Sequence, residues 1–146
     1  MKIRANGRFM AAAIVVLIGC GLVSKDEVAR VASPDGRVEG VVIETNGGAT
    51  TSFGYEVHVV PKGQRADDEV AFLYGAVRNE HAYGVNLRWV TDSELVIEYL
   101  SARGESLQQD RIRVAGRTIK IALRSGVSDP AAPAGGMADS VKPKRQ

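Results

Sequence analysis

The chain has one cysteine, Cys20, two histidines, and aromatic residues at only 5%. A single cysteine excludes an internal disulfide framework and any zinc site built from several thiolates. His58 and His81 lack the close His, Cys or Glu spacing of a metal centre, so no metal and no cofactor is expected. There is no G-x-S-x-G nucleophile elbow. Surplus charge is also scarce, at +2 overall. Lys2, Arg4 and Arg8, three of the nineteen basic residues, precede Cys20, and the rest of the chain sets sixteen basic against seventeen acidic residues. A near-neutral domain has no electrostatic footprint for nucleic acid. No stretch inside the domain carries a long 3.6-residue period, which argues against a helical core.

What is present suits one globular domain: 146 residues, 45% apolar and 25% charged. The first twenty residues stand apart. "MKIRANGRFMAAAIVVLIGC" has a basic start and then an uncharged apolar run from Phe9 to Gly19. That is the layout of a secretory signal peptide. A membrane-spanning helix needs about 20 apolar residues. Extending the run through Cys20 to Val23 gives 15, before Ser24, Lys25, Asp26 and Glu27 end it. An uncleaved single span is the competing reading, and the short run fits it less well.

Leu17, Ile18, Gly19 and Cys20 resemble the lipobox of bacterial lipoproteins. The resemblance implies cleavage between Gly19 and Cys20 and acylation of the Cys20 thiol and its freed amine. Two or three acyl chains on one residue would hold a soluble domain on a bilayer, where a single chain binds only marginally. Gly21 follows, where Asp would mark inner-membrane retention, so the resemblance further implies an outer-membrane location facing the periplasm. The expected organisation is a signal peptide over 1–19, a lipidated tether over 20–32, a β domain over 33–124 and a disordered tail over 125–146. The tail, "SGVSDPAAPAGGMADSVKPKRQ", has small, polar and proline-rich composition that buries little apolar surface.

The domain reads as strands. "VNLRWV" sets Val85, Leu87 and Trp89 on one face. "YEVHVV" sets Tyr55, Val57 and Val59 inward and Glu56 and His58 outward. "ELVIEYL" groups Leu95, Ile97 and Tyr99, and "RIRVAGRTIKIAL" forms a hairpin that turns at "AGR". "GRVEGVVIET" and "EVAFLYG" add two more strands. Turn signals ("SPDG", "NGG", "PKG", "TDS", "ARGES") separate them. Six to eight short antiparallel strands predict an all-β sandwich or open barrel.

Two turns, around Asp35 in "SPDGRVEGVVIE" and Asp92 in "VTDSELVIEYL", share a plan and lie 57 positions apart. Each resembles the inner-strand turn of TolB-type β-propeller blades. A ring needs about four blades, so two blade-like meanders packed face to face are expected. The order SPDG, strand, "GGATT", strand is also similar to an uncharacterised family of small bacterial lipoproteins and membrane-anchored proteins. In that family a cysteine often precedes GATT; Gly47 stands there here.

The most unusual segment is the loop with Asn46, Gly47, Gly48, Thr50 and Thr51, whose glycines and hydroxyls can present donors to a ligand. It precedes no helix and has no lysine, so it matches no phosphate-loop fingerprint. A plain hairpin loop capped by its own hydroxyls is the simpler account. His81 lies in a loop beside Glu80, and an envelope hydrolase, the alternative reading, would use it with Glu80 or a nearby Ser or Thr. Asp67, Asp68 and Glu69 read as a solvated charge run. The expected function is a non-enzymatic envelope module, tied to the bilayer by acyl chains and binding an envelope protein or glycan.

Overall fold

The computed structural model describes residues 23–79, 81–130 and 137. The signal segment, with Gly19 and Cys20, lies outside the described residues. The described chain is all-β and contains no closed barrel, as a small sandwich requires. Eleven strands form it: β1 (Ser24–Ala32), β2 (Val38–Asn46), β3 (Gly54–Pro61), β4 (Glu69–Tyr74), β5 (Arg78–Asn79), β6 (Ala82–Tyr83), β7 (Asn86–Thr91), β8 (Glu94–Glu98), β9 (Gly104–Leu107), β10 (Arg111–Val114) and β11 (Arg117–Arg124). The excess over six to eight comes mainly from the two-residue pair β5–β6 and from short pieces such as β9, part of which had read as the "ARGES" turn.

One sheet runs β1-β2-β3-β4-β9 and the other β10-β11-β8-β7. Alternation decides which side chains meet between them. Val42 pairs Val57, Gly40 pairs Val59, and Tyr55 pairs Leu73, all pointing inward. They join Val85, Leu95, Ile97, Ile119 and Ile121 in one core, with Leu87, Trp89, Ile112 and Leu123 packed at its margin. Gly40 leaves room there for Leu87, whose Cδ1 would have to shift from a Cβ only 2.8 Å away. The β10–β11 hairpin turns through Ala115 and Gly116, both at positive φ, the backbone that matches strand twist in two-residue turns. Trp89 donates its indole N–H to Val31 O at 2.9 Å and closes one side of the sandwich.

Three expectations need correction. Residues 24–32 are not a tether but β1, paired with β2 from Ser24↔Asn46 to Ala32↔Glu39. A bulge at Val28 puts that side chain into the core and breaks the alternation that identifies a strand. The second sheet is not a simple meander either. β9 crosses to the first sheet, and β11 returns to lie parallel to β8, which is the kind of pair that needs a crossover. Finally, the segment after Ser125 is tied down in part. Gly126 and Val127 donate to Leu100 O and Tyr99 O at 2.9 and 3.1 Å. Met137, 1% exposed, sits in the core, and its carbonyl accepts from the Tyr83 hydroxyl.

Candidate functional site

The two turn aspartates meet at one end of the sandwich. Asp35 N–H donates to Asp92 Oδ1 at 2.9 Å. Arg117 spans both turns, pairing with the Asp35 carboxylate and donating to Asp92 O. Ser33 Oγ and Arg37 N–H also donate to Asp35. The repeat seen in the sequence is therefore a structural clasp with its groups already used. Arg117, helped by Ser33 and Arg37, holds the Asp35 carboxyl down to about 2. Unfolded aspartate titrates near 3.9, roughly two units higher, so this contribution is present above pH 4 and lost as pH falls towards 2. Asp35→Asn is expected to melt below wild type at pH 7, with the gap closing by pH 2; thermal melts at pH 7, 4 and 2 check this.

The loop with Asn46, Gly47, Gly48, Thr50 and Thr51 forms the β2–β3 connection. Asn46 Oδ1 accepts from Gly48 N–H at 2.9 Å, Thr51 N–H and Oγ1 both reach Gly48 O, and Ser52 N–H reaches the Tyr74 hydroxyl. Gly48 holds φ +103, which favours glycine. The loop caps itself, as the simpler account expected, while residues 47–51 stay exposed.

His81 is exposed at the β5–β6 turn, where its carbonyl accepts from Asp129 N–H. Glu80 lies outside the described residues. Among the described residues no group of three or more His, Cys, Asp or Glu side chains is placed to hold a metal ion.

His58 is where the sequence reading misled. Its strand position does point away from the intersheet core, opposite Val41. Yet His58 is only 4% exposed. The β3–β4 connection folds back over this outer face: Gly63 N–H donates to Glu39 Oε2, and Arg30 Nη1 donates to both Glu39 and Gln64 O. Together they shape a cleft of about 410 Å³, lined among others by Lys25, Glu27, Ile43, Glu56, His58 and Arg65. Neither imidazole nitrogen has a hydrogen-bond partner among the described residues, and the nearest carboxylate oxygen, Glu56 Oε2, is 3.7 Å from Nε2. Several surrounding ions pair with one another: Lys25 with Glu56, and Arg30 with Glu27 and Glu39. Glu69 is not a solvated charge either. It pairs across from His58 and accepts from Gln108; burial, then the Glu56 charge, push its carboxyl up. The one sequence hint was the length of the connection, seven residues from Lys62 to Asp68, beyond the usual two to five of a hairpin.

A buried ring without partners costs about 1–3 kcal/mol in lost hydration. His58→Leu removes both orphaned atoms at similar bulk. It is expected to leave stability unchanged or raise it by roughly 1 kcal/mol, read as an upward shift of the urea midpoint. A fall of several kcal/mol would mean the imidazole has a structural partner.

No protein-family model, curated protein or solved structure matches the chain.

Proposed function

We propose that the chain is a bacterial lipoprotein, cleaved before Cys20, acylated on it, and held on the envelope membrane as a non-enzymatic binding module. The anchor rests on Leu17, Ile18, Gly19 and Cys20 behind a basic, short apolar leader. The binding role rests on one observation: His58, buried and without a hydrogen-bond partner among the described residues, at the wall of a cleft of about 410 Å³, a volume in the range of small-ligand sites. Polar groups held at a cost to stability are the features expected where a fold serves binding. The ligand is an exposed group of an envelope protein or glycan small enough to enter between β1 and the Lys62–Asp68 connection.

Cys20→Ser is expected to abolish palmitate incorporation and move the protein from membrane to soluble fractions. For binding, a photoreactive residue at Arg65 is expected to cross-link an envelope protein in cells, or the domain to sediment with purified sacculi. His58→Leu is expected to weaken either by about tenfold, equivalent to 1.4 kcal/mol. Equal capture by wild type and His58→Leu would contradict the binding role.

A further inference from the structure

Given the anchor proposed for Cys20, the position of β1 limits which end of the domain can lie near the bilayer. Only Gly21, Leu22 and Val23 separate Cys20 from Ser24, the first residue of β1. Four residue steps span at most about 14 Å. Ser24 pairs with Asn46, the last residue of β2. The start of β3, the end of β4 and the start of β9 lie in the same row, through Thr45↔Gly54, Gly54↔Tyr74 and Tyr74↔Gly104. The loop from Asn46 to Ser52 projects beyond that row.

The composition of this end fits a polar–apolar boundary. Among the described residues, large hydrophobics that stand exposed are Val23 at 54%, Tyr74 at 36% and Val90. Val23 and Tyr74 are both here. The Tyr74 hydroxyl accepts from Ser52 N–H, so its ring and the hydroxyl loop form one surface. Tyrosine favours the membrane–water interface because it pairs an apolar ring with a polar tip. Charges at this end are mixed: Lys25 and Arg103 are offset by Asp26 and Glu105. Contact there needs no anionic lipid.

We infer that the loop Asn46–Ser52, with Val23 and Tyr74, is a membrane-contacting surface that rests on the phospholipid headgroups of the anchoring leaflet. The opposite end, with the Asp35–Asp92–Arg117 clasp, points away from the membrane. The loop singled out in the sequence then has a lipid headgroup layer as its partner.

The lone cysteine makes the test clean, because an acylated Cys20 has no thiol to label. Mature lipidated protein carrying Thr50→Cys or Ser93→Cys is labelled with an environment-sensitive fluorophore and placed on phosphatidylcholine vesicles containing a lipid-borne quencher near the headgroup. Both positions are exposed. The expected result is several-fold stronger quenching at position 50 than at position 93, unaffected by salt. Equal quenching, or stronger quenching at 93, on vesicle-bound protein overturns the orientation while leaving the anchor intact. Labelling of Cys20 itself in the unsubstituted membrane-bound protein overturns the anchor, and the orientation with it.

Discussion

A chain lacking residues 24–32 is expected not to fold stably at 37 °C. The alternative, a tether, predicts no change in melting. β1 contributes eight paired residues along β2, the buried Val28, and the carbonyl that receives the Trp89 indole. Burying one valine stabilises by about 1.5–3 kcal/mol, and each ladder bond adds roughly 1 kcal/mol net. Deletion also removes one of the two strands paired with β2 and leaves β2, whose residues Val38, Val41 and Val42 are fully buried, as the sheet edge. Even a loss of about 3 kcal/mol lowers the midpoint of a domain this size by roughly 12–24 °C. Calorimetry of the soluble chain with and without residues 24–32 checks this. A milder variant, Val28→Asp, is expected to fall in the same direction.

Arg78→Ala is expected to destabilise the domain by about 3–5 kcal/mol. Glu44 is 3% exposed, with Arg78 Nη1 at 3.4 Å from Oε2, and Met137 N–H donates to the same oxygen. The Arg78 guanidinium also lies 3.6 Å over the Phe53 ring, a contact worth up to about 2 kcal/mol when desolvated. Removing the cation takes a counter-charge away from a buried carboxylate, which costs more than the pair itself contributes. The double variant Arg78→Ala/Glu44→Gln is therefore expected to recover part of the loss. Urea midpoints of the two singles and the double measure that recovery, and strictly additive losses would contradict the coupling.

The sequence was most informative where one face of a strand is buried and the other wet. Val85, Leu87 and Trp89, or Leu95, Ile97 and Tyr99, show their faces by alternation alone, and the structure places them together. It was silent where a distant segment decides the environment. His58 alternates as an outward residue, and only the return of Lys62–Asp68 over the sheet buries it. β1 escaped because the bulge at Val28 breaks its period and edge strands carry charge. Met137 escaped because a single side chain does not register against proline-rich surroundings. The parallel pairing of β8 with β11 is a long-range choice that no local pattern encodes. The Asp35 and Asp92 turns lie between: their kinship was legible, their contact through Arg117 was not.

In the proposed reading, Cys20 is the first residue of the mature protein and carries its acyl chains. The intact mass of protein extracted from membranes tests this most directly. The expected species begins at Cys20 and exceeds the mass of residues 20–146 by a diacylglyceryl group, with or without a third acyl chain. A mass equal to the unmodified chain beginning at Met1 would contradict it.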